Sequence, residues 1–144
     1  MTRIKPDKSH RSNAVGFAAF ANQKYLNLET FKKNGQGVKT PIWFAADPAA
    51  NLDSSAAKLY IYTIGDSGKV KRARNNPGVK IAPCDMRGNV LGEWVDARAE
   101  IVTGPDADRG MQLLNKKYFP LKQILALFAS FSRRQRIVFT IRPG

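Results

Sequence analysis

Residues 58–84 read KLYIYTIGDSGKVKRARNNPGVKIAPC. The stretch opens as a β-rich run of period two, KLYIYTI over 58–64, because β-branched and aromatic residues fit a half-buried pleat. Gly65-Asp66-Ser67-Gly68 breaks that run. A short basic helix is predicted over 69–75, stopped by Asn76-Pro77-Gly78, and a buried strand over 79–84 follows.

The flanks repeat the strand-and-turn rhythm. Upstream, residues 24–30 alternate, Lys33-Asn34-Gly35-Gln36 supplies turn chemistry, and VKTPIWFAA over 38–46 returns as a strand. Pro41 inside it lacks a donor, which marks an edge, a bulge or a backbone left open for a ligand. Residues 47–57 form a polar loop, Asn13 caps a helix over 14–22, and residues 1–12 are a basic leader without fixed structure. Downstream, Arg87-Gly88-Asn89 turns the chain into a strand over 90–102, and Pro105 opens a helix to about Tyr118. A second helix over 121–131 puts Leu121, Ile124, Leu125 and Phe128 on one face, with Phe128 and Phe131 as core. RIVFTIR over 136–142 closes the chain as a last strand. Short connections make the sheet mainly antiparallel, and six strands suggest closure into a small barrel with helices at its ends or outside it. Residues 13–144 then form a single domain.

Composition narrows the chemistry. The 144 residues are 43% hydrophobic, enough for a core without staples. One cysteine, Cys84, allows no internal disulfide and suits a reducing compartment; it reads as a buried small hydrophobe rather than a nucleophile. One histidine, His10, leaves zinc clusters and Ser-His triads without material, so neither a metal site nor a catalytic acid or base is assigned. The longest uncharged run near the C-terminus, 123–132, is far short of the ~20 residues of a membrane span. The apolar run 14–21 contains Gly16 and no leucine, a poor signal-peptide core, so the expected compartment is the cytoplasm.

Charge is segregated. The net +13 comes from residues 1–40, 58–87 and 109–144, while 88–108 holds Arg98 against Glu93, Asp96, Glu100, Asp106 and Asp108. Such asymmetry points to an anionic partner or to a solvated basic surface. Toward nucleic acid it supports weak, sequence-blind attraction that fades with salt.

Two constellations carry candidate chemistry. After the strand ending near Thr63, the turn with Ser67 and Gly68 leads into Lys69, Lys71 and Arg72 at the start of a helix. Free N–H groups there attract phosphate, and Lys69 and Arg72 face one way; a plain solvated basic helix has the same spacing. The second is Thr40-Pro41-Ile42-Trp43, where an interrupted ladder beside aromatic residues would face a planar heterocycle, or else Trp43 and Phe44 are ordinary core. Glu93 and Trp94 suit either an interface or a pocket.

Taken serially, residues 25–30, a hairpin, TPIWFA over 40–45 and LYIYTIGDSGKVKRARNNPGVKIAPCD over 59–85 resemble the pyridoxamine 5'-phosphate oxidase-like, FMN-binding split-barrel superfamily. The resemblance is to its small deazaflavin (coenzyme F420) branch. It implies a mainly β, six-stranded antiparallel split barrel and a homodimer with the cofactor between subunits. It also implies an oxidoreductase that transfers hydride between coenzyme F420, or FMN, and a small organic substrate. Thr40, Pro41, Ile42 and Trp43 would lie along the ring; Thr63, Ser67, Gly68 and Lys69 would meet the ribityl and phosphate, with Lys71 or Arg72 adding charge. The polyglutamate tail of F420 suits the basic surface better than FMN does. The chain stops at Ile141-Arg142-Pro143-Gly144, short of the tail that serves vitamin salvage, and His10 is a poor heme ligand. A basic nucleic-acid-binding barrel, with Tyr60 and Tyr62 as stacking platforms, and a non-catalytic flavin carrier are the alternatives.

Overall fold

The computed structural model describes residues 16–65, 67–118 and 136–144. The leader 1–12 with His10, Asp66, and the helix expected over 121–131 with Leu121, Ile124, Leu125, Phe128 and Phe131 lie outside the described residues. Seven strands form one sheet: β1 (Tyr25–Phe31), β2 (Gly37–Trp43), β3 (Ala45–Ala46), β4 (Leu59–Ile64), β5 (Gly78–Cys84), β6 (Val95–Val102) and β7 (Arg136–Pro143). Their order is β2-β1-β5-β6-β7-β4-β3, and every pairing is antiparallel. Two helices, α1 (Gly68–Asn75) and α2 (Gly104–Lys117), and a 3₁₀ turn, Gly16–Phe20, complete the described chain.

Alternation along the strands divides two cores. Leu59 and Ile61 of β4, and Phe139 and Ile141 of β7, face the interior with Leu26, Leu28 and Ile81; Phe17, Phe20, Val70 and Ala73 of the helical segments pack there too. The intervening Tyr60 and Val138 face outward and are covered by Leu114 and Tyr118 at the C-terminal end of α2. Gly110 makes that contact possible, since a Cβ there would stand 2.5 Å from the Tyr60 ring.

The run over 38–46 is two strands rather than one. β2 and β3 are separated only by Phe44, yet they occupy opposite ends of the strand order. One short segment therefore serves both edges and curls the sheet into a split barrel; among the described residues no ladder joins β2 to β4. At the switch, Phe44 is 1% exposed and outside both ladders. Its N–H donates to the Tyr118 hydroxyl at 3.1 Å, and that hydroxyl's single proton is shared between the carbonyls of Phe44 at 2.7 Å and Lys24 at 2.5 Å. Lys117 Nζ donates to the Phe44 carbonyl at 2.8 Å and lies 3.6 Å from the center of its ring.

Other boundaries differ from expectation for local reasons. The helix expected over 14–22 is a 3₁₀ turn in its described part. The strand expected over 90–102 starts only at Val95, because Asp85 ties its carboxylate to the Arg87 and Asn89 N–H groups and Gly88 takes φ 91°, folding 85–94 into a strap. Among the described residues no helix is long and apolar enough to cross a membrane.

A charged cluster fixes α2. Asp47, 4% exposed, receives Arg109 at 2.7 and 3.0 Å, with Lys58 at 3.9 Å. Tyr60 donates to Asp106, whose carboxylate also meets Lys58 at 3.6 Å. The Arg109 guanidinium holds the Asp47 carboxyl down at about 2 against the opposing effect of burial.

Two outcomes follow for stability. Tyr118→Phe strands the buried Phe44 N–H and should cost about 1–3 kcal/mol, read as a lower urea midpoint; an unchanged midpoint would show that the switch needs no such partner. Because the folded pKa of Asp47 is depressed, its contribution is complete above the ordinary carboxylate value and is lost as pH falls toward 2. Wild-type unfolding free energy should therefore decline from this group by roughly 1–2 kcal/mol across that window. Asp47→Asn should flatten the decline, and equal slopes in the two proteins would sink the assignment.

Candidate functional site

The split between β2 and β4 opens into a cleft of about 340 Å³, lined by Thr40, Pro41, Ile42 and Trp43 on one side, Tyr62, Thr63 and Lys69 on the other, and Tyr25 and Met86. Its volume lies at the small end of the range for organic ligands. β2 presents its unpaired edge here because Pro41 has no N–H to offer a further strand.

Six residues expected from the sequence, Thr40, Pro41, Ile42, Trp43, Thr63 and Lys69, line this one cleft. Ser67 is joined to it through its hydroxyl, 3.2 Å from that of Thr63, and makes no side-chain cap on α1. Gly68 opens α1, and a Cβ there would stand 2.7 Å from Arg72 Nη1, so the bare glycine gives the guanidinium its seat. Arg72 Nε donates to buried Thr30 Oγ1 at 2.7 Å, tying the helix to β1. Lys71 points into solvent and lines no part of the cleft.

Lys69 is half-buried, and no carboxylate among the described residues pairs with it. Burial, and the Arg72 guanidinium next to it, push its pKa below the ordinary lysine value. Two close cations, one of them partly desolvated, make a potential that favors an anion. Apart from Thr40 and Thr63 the other lining residues are aromatic or apolar, and Trp43 is held by a stack on Tyr118, 4.8 Å between ring centers and 14° from parallel. A flat heterocycle with a phosphate matches this division. Cys84 is buried, and burial followed by the Asp85 charge pushes its thiol up to about 11, as suits an inert side chain.

Three lining residues were absent from the expected site. Tyr25 was legible through hairpin register, since folding the chain about Asn34-Gly35 brings it opposite Trp43. Tyr62 shares the outward face of β4 with Tyr60. Met86 arrives on the strap, for which no periodic signal exists.

No family model matches the sequence, and no curated protein is significantly similar to it. Solved structures do share its fold. A candidate pyridoxamine 5'-phosphate oxidase from Listeria innocua has TM-score 0.58 at 13% identity, covering 88% of this chain and 89% of its own. An F420 reductase has TM-score 0.54 at 19% identity over 90% and 91%. The heme storage protein HutZ from Vibrio cholerae has TM-score 0.58 at 15% identity over 99% and 92%. The chain thus has the split-barrel fold of pyridoxamine 5'-phosphate oxidase-like proteins, a fold that serves both a reductase and a heme store.

Proposed function

We propose that this protein is an oxidoreductase that seats coenzyme F420, or alternatively FMN, in the cleft between β2 and β4 and acts on a small organic substrate. The observation that carries this reading is the meeting, in one cleft, of the β2 edge with Lys69, which no carboxylate of the described residues compensates. When bound, such a cofactor supplies a ring that takes up or gives a hydride.

The chain's own residues have separable tasks. Thr40 to Trp43 offer a flat edge for a planar ring, with Ile42 and Trp43 excluding water from one face. Lys69, with the first-turn N–H groups of α1, holds the phosphate, and the Thr63 and Ser67 hydroxyls offer polar contacts between ring and phosphate. Arg72 acts chiefly by keeping α1 against Thr30 and by raising the positive potential at Lys69. Binding and orientation suffice for hydride transfer, so no acid or base from the chain is required.

A homodimer belongs to the same proposal. Among the described residues β2 has no strand on its outer edge and nothing closes the cleft, and a second copy would cover both with one patch used twice.

The visible spectrum of the purified protein, with identification of whatever heat releases, tests the cofactor. Lys69→Ala should weaken affinity for FMN and for F420 by roughly 1.5–3 kcal/mol, one to two decades, while the melt of the apo form stays put. Unchanged affinity for both would remove Lys69 from the phosphate site. Sedimentation equilibrium should give a dimer at micromolar concentration; a monomer that binds cofactor tightly would remove the second copy.

A further inference from the structure

The cleft has two chemically different ends. In the β3–β4 ladder Ala45 faces Tyr60 and Ala46 faces Leu59. Past that ladder β4 runs on through Tyr62 and Thr63 to the turn that starts α1, leading away from the switch at Phe44. Lys69, the Thr63 and Ser67 hydroxyls and the start of α1 therefore gather at the end of the cleft away from Phe44. The opposite end is formed by Tyr25 and Trp43, cross-strand neighbors in the β1–β2 ladder, by Tyr62, and by Met86. No lining residue at that end is charged.

Met86 belongs to the 85–94 strap. Beneath the strap lie Asn27, 5% exposed with Oδ1 lacking any partner among the described residues, and Cys84. Facing solvent are Met86, Val90 and Leu91, at 69, 41 and 61% exposed, alongside Arg87, Asn89 and Glu93. The strap is also well fixed: Asn27 Nδ2 donates to the Gly88 carbonyl at 3.0 Å, the Leu91 N–H donates to the Pro83 carbonyl at 2.7 Å, and Asp85 caps the turn. A rigid turn that shows its apolar side chains outward is built to meet an apolar surface.

We propose that the Tyr25–Trp43–Met86 end of the cleft receives a neutral, apolar substrate and that Met86 is its specificity-determining wall. This rests on the cofactor being seated at the Lys69 end. An unbranched thioether adapts to substrates of differing outline, while the Trp43–Tyr118 stack gives the opposite wall a fixed plane. The second copy proposed above would roof the cleft rather than fill this end, since three partly exposed side chains fall short by themselves of the ~800 Å² per partner of a stable interface.

The test uses the full chain and two probes, neutral N-phenyl-1-naphthylamine and anionic 1-naphthalenesulfonate. With FMN saturating the Lys69 end, the neutral probe should still bind, and at least about tenfold more tightly than the sulfonate despite the basic surface. Met86→Glu should weaken the neutral probe at least about tenfold and FMN less than about threefold, whereas Met86→Leu should keep both within about threefold. Preference for the sulfonate, displacement of the neutral probe by FMN, or indifference to Met86→Glu would overturn the proposal. So would loss of probe binding together with conversion of a dimer to monomer in Met86→Glu, which would identify a second copy as the occupant. Failure of FMN and F420 to bind, with the probe pattern intact, would overturn the cofactor assignment and leave the apolar end standing.

Discussion

Everything in this barrel depends on how the chain passes through Phe44. A strand that leaves one edge of a sheet and begins the other must break both ladders at the crossing, and the break falls at a buried residue. Backbone polar groups orphaned there would cost as much as the strand change could return. Tyr118 resolves the conflict with one hydroxyl that accepts from the Phe44 N–H and donates among two carbonyls, and Lys117 supplies a further donor. The cleft begins one residue earlier, at Trp43, which the same Tyr118 holds by stacking. Closure of the fold and one wall of the site thus share a support.

Two cationic clusters among the described residues are handled in opposite ways. At α2, Arg109 and Lys58 are matched by Asp47 and Asp106, so the cluster is balanced and serves attachment. At α1, Lys69 and Arg72 sit together with no described carboxylate to balance Lys69. Half-buried charge without a counter-ion among the described residues carries a standing cost that an anion would relieve.

Much of this was visible in the chain before folding. Period-two patterning located the strands, since a β residue's face is decided by its neighbors two positions away, and Pro41 announced an open edge. Helix spacing brought Lys69 and Arg72 together, although only the folded contact showed Arg72 bound to Thr30. The break at Phe44 was illegible because WFAA continues the strand pattern without interruption, and the reason for it, Tyr118, is distant in sequence. Met86 was hidden for a related reason: a turn held by Asp85 carries no periodicity from which a side chain's direction can be read.

Pro41 has one more consequence. Among the described residues no strand pairs with the outer edge of β2, and an unpaired edge ordinarily invites strand addition and, with it, aggregation. With no N–H at its center, and with Lys39 two residues away, β2 cannot template a regular intermolecular ladder. The opening is therefore selective by shape and hydrogen-bond pattern, closed to another polypeptide strand added along its length while still admitting a small flat molecule that needs only a few of its groups.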